Sequence, residues 1–480
     1  MLKLKMNNKE KFMFIVLFLL ITFIEFSIKD LRNYTIDDTY TTFVYAKNIV
    51  EGNGSTYNVG EFSSAYTPLL TFVFAFFYML FRFEDPLLFL KIFNLILTFL
   101  AVFVSYFLVS KISNKRIAFL VAILIATNPF INLFSCAGAD TILFILFSLL
   151  TIYAYILKKN LLASALSAFT FLSRPEGAFL FLLILVHATI KEVSLKTKWT
   201  RILKDRLIEI FIFLLISSPW LLFLLLNQGT IFATSVSGKR IIYERFAASI
   251  GPIKFSYLLV PDLLVTIPIV FIAAFAFITR LNRNDVLKEN FLIDAWWIMI
   301  ILVHMFFAFS VHTYRYLTPA IPFVYISILL FLERLKKAKI DIISISFIIL
   351  LLLNLGELYF IIPRAAEVNS FYSSFFEVSE WIINNTAPSD RIALGELGII
   401  KWVTGRYVVD VAGILNPDAS KFTSADSFYY YLKISNAKYF IVPTRYLDGS
   451  NPLYEKSRYN RLIEKDLEFS GVEWTFYEVP

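Results

Sequence analysis

The chain has 480 residues, 58% of them hydrophobic and 52 of them Phe, and its mean hydropathy of +0.68 lies outside the range of ordinary soluble domains. A single cysteine, Cys136, excludes an intramolecular disulfide, and His187, His304 and His312 are too widely separated to suggest a Cys/His metal cluster. The net charge is +8, but residues 361–480 carry 12 Lys/Arg against 15 Asp/Glu. The positive excess therefore sits in short loops of the first 360 residues, which is the positive-inside pattern of a polytopic membrane protein and not a nucleic-acid-binding stripe.

The first apolar run, residues 12–28, is followed by no small-residue cleavage site, which marks it as a span and not a leader. Further runs long enough, or nearly so, to cross a hydrocarbon layer of about 30 Å lie at 87–110, 117–135, 141–157, 207–226, 255–280, 291–310, 317–332 and 340–360. Two shorter helices, 161–172 and 176–190, flank Ser173-Arg174-Pro175-Glu176-Gly177. Basic clusters at 3–11, 111–116, 158–159, 191–206, 280–288 and 334–339 fall at every second connection and assign those loops to the cytoplasm. Residues 67–83 break that parity if they cross, so they are expected to form an interfacial or re-entrant helix under the first external loop. The expectation over residues 1–360 is a mostly α, polytopic membrane domain of eleven crossings plus interfacial helices, with the N-terminus in the cytoplasm.

Residues 361–480 read as a separate α/β domain. Polar helical stretches at 373–385 and 419–432 alternate with strand-like 391–394, 407–411 and 438–442, and Gly395, Gly398, Gly405 and Gly413 mark turns. A unit of about 120 residues can hold its own core, and the parity of the spans puts it outside the cytoplasm.

Ionisable groups at a membrane boundary are costly and are usually kept for chemistry or transport. The first external loop opens Ile36-Asp37-Asp38-Thr39-Tyr40 and continues through Phe43-Val44-Tyr45-Ala46-Lys47-Asn48, Glu51-Gly52-Asn53-Gly54 and Tyr66-Thr67-Pro68-Leu69. A helix cap is the alternative reading of the paired acids, since Asp caps helices well. Other external pieces carry Asp140 in Gly138-Ala139-Asp140-Thr141, Arg174 with Glu176, a loop with Thr234, Lys239, Arg240 and Arg245, and His312-Thr313-Tyr314-Arg315-Tyr316-Leu317-Thr318-Pro319. Brought to one face, they form a mixed-charge pocket whose cationic half suits a lipid-linked phosphate. The loop lysine and arginines suit anionic lipid headgroups as well.

The first-loop run resembles that of polyprenyl-phosphate-sugar-dependent glycosyltransferases with the GT-C fold, a superfamily that includes protein mannosyltransferases, and is most similar to its arabinofuranosyltransferase-like branch. Ser173-Arg174-Pro175-Glu176-Gly177 looks like the Arg-Pro-Glu-Gly turn of that branch, and Tyr314-Arg315-Tyr316-Leu317 with Pro319 and Pro322 looks like its Arg-Tyr-Leu-x-Pro span. Gly138-x-Asp140-Thr141 matches a Gly-x-acid-Thr element; Gly229, Thr234 and Lys239 are similar to a Gly-x-x-x-Pro-Asn-Thr-x-x-x-Lys loop, with Phe232-Ala233 in place of Pro-Asn. Gly395-Glu396-Leu397-Gly398 and Asp410-Val411-Ala412-Gly413 resemble its external domain.

The resemblance implies a membrane glycosyltransferase that moves a hexosyl or pentosyl unit from a polyprenyl-phosphate donor to a glycan, glycolipid or protein outside the cytoplasm. It implies Asp38 or Asp37 as general base and Asp140 as a second acid shaping an acceptor or metal site. Asp38 and Asp140 are the ligands of a possible Mg or Mn ion, since carboxylates are hard oxygen donors. Arg174, Lys239, Arg240 and Arg315 are the candidates for the donor phosphate, supported by Tyr40, Glu176, His312 and Tyr314. One base suffices for inversion, whereas retention needs a second carboxylate about 5 Å away on the other side of the sugar, which adjacent residues cannot supply. A flippase for a lipid-linked sugar and a non-catalytic lipid-binding subunit are the rival readings; a transporter tends to show related halves and midplane polar residues, and neither is visible.

Overall fold

The computed structural model describes residues 6–82, 86–236, 238, 273–275, 277–279, 287–307, 313–335, 341–422, 425–447 and 463–479. Helix α1 (Asn8–Ser27) starts at a capping box in which Asn7 and Glu10 exchange side-chain and backbone bonds. It leads through α2 (Lys29–Asn33) into α3 (Asp37–Val50), and the pair is bent by 77°. Helix α4 (Pro68–Phe81) opens on proline at its first position. At about 1.5 Å per residue its 14 residues fall short of the hydrocarbon thickness. Helices α5 (Pro86–Ile112), α6 (Lys115–Thr127), α7 (Pro129–Cys136), α8 (Asp140–Ile156), α9 (Asn160–Ser173), α10 (Gly177–Ser194) and α11 (Trp199–Gln228) follow.

The run expected as one span at 117–135 is broken between α6 and α7, which are bent by 50° at Asn128-Pro129. Proline ends the helix before it, and the Asn128 side chain accepts from the N–H groups of Phe130 and Ile131 to start the next one. After α11 come α12 (Glu289–Phe307), α13 (Thr313–Leu317), α14 (Ile321–Arg334) and α15 (Ile342–Asn385). The span expected at 255–280 lies largely outside the described residues. Among the described residues five helices are long and apolar enough to cross a membrane, or seven if each bent pair is one span. The outward faces of these helices are apolar, as at Phe211, Leu215, Leu222 and Leu226 of α11, which is the surface that lipid solvates. The protein is a mostly helical polytopic membrane protein with a small sheet domain at its C-terminus.

Helix α15 is continuous across residue 360. Its 44 residues extend about 66 Å at the α-helical rise, far more than a bilayer core, so one rod joins the membrane bundle to the C-terminal domain. Beyond it lie β1 (Arg391–Leu394), α16 (Ile399–Thr404), β2 (Val408–Asp410), α17 (Ala425–Ile434), β3 (Ala437–Pro443), β4 (Ile463–Phe469) and β5 (Val472–Glu478). The sheet order is β2-β1-β3-β5-β4. Strand β1 is parallel to β2, with Ile392 opposite Val408, and to β3; β5 runs antiparallel to β3 and β4. The second half of α15 packs on this sheet through Phe375 against Trp474, whose indole N–H bonds Ser374 Oγ at 2.9 Å.

Candidate active site

Two adjacent carboxylates at the start of α3 face different surroundings, because successive helical residues are rotated by about 100°. The N-cap of α3 is Ile36, with no side-chain cap bond. Asp37 is 5% exposed, and its carboxylate accepts the backbone N–H of Leu397 at 2.8 Å, Gly398 at 2.6 Å and Ile399 at 2.7 Å. Asp37 thus caps α16, a helix of the C-terminal domain 360 residues further along the chain. Residue 398 must be glycine for this approach: a Cβ there would stand 1.9 Å from the Asp37 carbonyl oxygen. The same seam is tied by Tyr57, whose hydroxyl donates to Leu397 O, and by Asn58, which donates to Val408 O at 2.8 Å and accepts from Val408 N and Lys401 Nζ at 3.1 Å. Burial lowers the Lys401 ammonium to about 8.

Asp38 turns the other way, with its side chain 51% exposed. Its Oδ2 receives Arg315 Nη1 at 2.5 Å, while Arg315 Nη2 reaches Asp140 Oδ1 at 3.0 Å. One guanidinium fork therefore joins carboxylates from α3 and α8, and the arginine itself comes from α13. The turn before α8 makes this convergence possible. Gly138 has φ +71, and a Cβ on it would lie 1.9 Å from Leu90 Cδ2, so only glycine lets the turn press on α5. Asn94 of α5 donates to Ser135 O and Ala139 O, and Thr39 Oγ1 donates to Ala137 O at 2.7 Å, drawing the start of α3 onto the turn.

Behind Arg315 lies a second layer. Arg174 is 3% exposed; it donates to Glu176 Oε1 at 2.8 Å and to the Arg315 carbonyl at 3.5 Å. Its guanidinium stands 4.8 Å from the Tyr316 ring centroid and 5.4 Å from that of Phe144. His304 Nε2 meets the same Glu176 oxygen at 3.0 Å. Arg174 is thus held within the protein, where it braces the segment that carries Arg315. Tyr40 is buried, its ring against Phe43 and Phe376.

Lys239, Arg240, Arg245 and His312 lie outside the described residues, as does the side chain of Tyr314. The loop that leads to Lys239 is anchored: Thr234 N donates to Ser64 Oγ at 3.1 Å, and Gly238 abuts Gly413, whose carbonyl would be 2.1 Å from a Cβ at 238. Gly413 belongs to a loop organised by Asp410, which accepts the N–H of Ala412, Gly413, Leu415 and Asn416 at 2.6–3.1 Å.

Two residues near the site, His304 and Glu396, are absent from the candidates read off the sequence. His304 is one of two ionisable side chains, with Asp294, inside the apolar run 291–310, and an ionisable group in a membrane helix is itself a signal of function. Glu396 adjoins the Leu397 amide that Asp37 accepts; burial, then the Asp37 charge, pushes its carboxyl up to about 8. Burial pushes Asp37 up to about 6 against the pull of its backbone donors. Among the described residues no group of three or more His, Cys, Asp or Glu side chains could hold a metal ion. Asp38 and Asp140 hold a guanidinium between them, and a divalent cation at that position would have to displace it. As arranged, the pair does not fit a resident cation.

The solved structures similar to this chain agree in kind. The apo oligosaccharyltransferase of Archaeoglobus fulgidus superposes with a TM-score of 0.61 at 13% identity, over 95% of this chain and 73% of that one. ArnT of Cupriavidus metallidurans, bound to undecaprenyl phosphate, gives a TM-score of 0.58 at 13% identity over 98% of both chains. The chain has a GT-C fold. The mycobacterial arabinofuranosyltransferase AftD shares that fold with a TM-score of 0.51 at 12% identity, over 99% of this chain and 40% of its own length. Residues 363–477 match a family described as a domain of unknown function, DUF8728, so the sheet domain on this GT-C bundle has a sequence signature of its own. No curated protein sequence matches the chain.

Proposed function

We propose that this protein is an integral membrane glycosyltransferase that moves a sugar from a polyprenyl-phosphate carrier to a hydroxyl outside the cytoplasm, inverting the sugar carbon. The observation that carries this reading is the Asp38–Arg315–Asp140 clasp, in which a half-exposed carboxylate stands beside a guanidinium and a second acid drawn from distant parts of the chain. The fold supports the donor class: the Archaeoglobus fulgidus enzyme has been solved with dolichol-phosphate, and ArnT with undecaprenyl phosphate. The C-terminal domain and the first loop are assigned to the outside by the distribution of basic loops.

Asp38 is the base of choice over Asp37, because three backbone donors hold Asp37 in the domain seam. The acceptor hydroxyl gives its proton to Asp38 as its oxygen attacks the anomeric carbon. The bond from that carbon to the phosphate oxygen breaks, and the electron pair leaves with the lipid phosphate. Arg315 faces the negative charge that develops there. Arg174, bonded to the Arg315 carbonyl and to Glu176, keeps that arginine in register, and Lys239 and Arg240 follow a loop anchored at Thr234 and Gly238. The Archaeoglobus fulgidus enzyme has also been solved with Zn and sulfate; in this chain a cation would compete with Arg315, which already supplies positive charge between the two acids.

The test is transfer from a radiolabelled polyprenyl-phosphate sugar by purified protein in liposomes, comparing wild type with Asp38→Asn and Asp37→Asn. Loss of a general base predicts a fall of about 10²–10⁴-fold in turnover for Asp38→Asn, with donor binding retained. Full activity in Asp38→Asn refutes the assignment.

A further inference from the structure

Away from the clasp lies an open apolar groove that the transfer chemistry does not use. Phe43 and Ala46 of α3 line it with Phe74 and Tyr78 of α4, Phe89 of α5 and Trp402 of α16, around about 260 Å³ of open space. The rings form a continuous wall: the Phe43 centroid is 5.2 Å from that of Phe74 and 5.8 Å from that of Trp402, and Tyr78 is 6.4 Å from Trp402. One side of the groove therefore belongs to the C-terminal domain and the rest to the membrane bundle. It adjoins faces that lipid solvates, since Phe76, Met79 and Leu80 of α4 and Leu88 and Ile92 of α5 are exposed.

Two cations stand on these walls. Lys47 Nζ is 5.6 Å from the Trp402 ring centroid, and the Arg82 guanidinium, at the end of α4, is 5.5 Å from that of Tyr78. Lys47, Trp402, Tyr78 and Arg82 thus make one line of cation, two rings and cation. Neither cation pairs with a carboxylate among the described residues. Tyr and Trp rings flanked by basic side chains mark the headgroup level of a bilayer, and basic groups there attract anionic lipids. A hydrocarbon chain suits the groove and a phosphate suits its rim; a zwitterionic headgroup adds a cation that would meet Lys47 and Arg82.

The rim is also apart from the reacting carboxylate. Lys47 follows Asp38 by nine residues on the same helix, which carries it about 13.5 Å along the axis and half a turn round. A phosphate held there is not the one that sugar transfer would release.

We propose that this groove binds an anionic glycerophospholipid of the outer leaflet, with one hydrocarbon chain among the rings and the phosphate on Lys47 and Arg82. Because its walls come from α3, α4, α5 and α16, the bound lipid fastens the C-terminal domain to the membrane bundle. The inference is independent of the transferase reading.

The experiment uses full-length protein in phosphatidylcholine nanodiscs doped with phosphatidylglycerol that carries a photoreactive diazirine in one chain. Labelled peptides are quantified by mass spectrometry, and a thermal melt accompanies each variant. In wild type, labelling is expected to concentrate at 43–47, 74–82 and 399–404. Each cation near an anionic headgroup contributes about fivefold in affinity, so Lys47→Gln with Arg82→Gln is expected to lower that labelling about 25-fold. Ala46→Phe, which fills the floor, is expected to abolish it with both cations in place; the double variant, which alters only the rim, decides the case if Ala46→Phe melts early. Phosphatidylglycerol is expected to raise the melt of wild type and not that of the double variant, and the two melt alike in phosphatidylcholine alone. Labelling unchanged in the double variant, spread evenly over the lipid-facing helices, or matched by photoreactive phosphatidylcholine overturns the proposal. Loss of the label on adding equimolar undecaprenyl phosphate also overturns it, because the groove then belongs to the donor carrier. A double variant that melts early in phosphatidylcholine alone does so too, because the cations are then structural.

Discussion

Replacing Asp37 by alanine separates the two neighbouring acids. The side chain is 5% exposed and accepts three backbone N–H groups at 2.6–2.8 Å. Each buried donor left without a partner costs about 1–3 kcal/mol. Water enters such a seam once it loosens, so the three together are taken as about 3 kcal/mol, near the low end of their sum. At about 1.4 kcal/mol per factor of ten, local opening of residues 395–404 becomes on the order of 100-fold more frequent. Hydrogen exchange read by mass spectrometry in nanodiscs measures this, with the apolar half of α15 as an internal control. Tyr57 and Asn58 still tie the first loop to the domain, so the loss is local and the sheet core keeps its protection. Exchange at 395–404 unchanged from wild type refutes the cap, and turnover abolished with exchange unchanged makes Asp37 the chemical base.

Gly398→Ala attacks the seam from the other side: its Cβ meets the Asp37 carbonyl at 1.9 Å, so it is expected to raise exchange over the same peptides and lower the melting temperature, and a neutral outcome excludes the close approach. Arg315→Lys keeps one charge but cannot fork between Asp38 and Asp140; turnover is expected to fall about 10–100-fold, with the salt dependence of donor binding retained, and full activity refutes the clasp. The pH dependence follows from Glu396, which faces Asp37, Asp38, Arg445, Tyr446 and Tyr372. Its folded-state value of about 8 lies above the ordinary 4.5, so its contribution to stability is complete below about pH 4.5 and is lost as pH rises through 8. Exchange at 395–404 is therefore expected to quicken over that window, with a smaller rise in Glu396→Gln; an identical profile in both refutes the assignment. Chelation with EDTA is expected to leave sugar transfer unchanged, and a loss restored by Mg or Mn refutes the role given to Arg315.

Much of the fold is legible in the chain without tertiary information. Apolar runs announce helices because lipid leaves a backbone no other partner, and α5, α8 and α11 lie where those runs do. The motifs around Asp38, Asp140, Arg174 and Arg315 are visible as charged residues at the ends of such runs. The hairpin of β4 and β5 carries a local signal too, since Ser470-Gly471, both with positive φ, join two alternating runs in the manner of a tight turn. The break at Asn128-Pro129 goes unread, since the apolar run continues unbroken across its proline from 117 to 135. The length of α15 goes unread too, because a continuous helix and two abutting ones have the same local composition.

Composition and periodicity thus determined a polytopic helical membrane protein with a small C-terminal sheet domain, because preference for lipid or for water is decided residue by residue. Tertiary structure alone decided which groups each of the two neighbouring acids meets. Asp37 and Asp38 are identical in kind and adjacent in sequence, but the rotation of about 100° between successive helical residues sends the first into the amides of α16 and the second to Arg315. That choice depends on groups 277 and 360 residues away, beyond the reach of any local pattern.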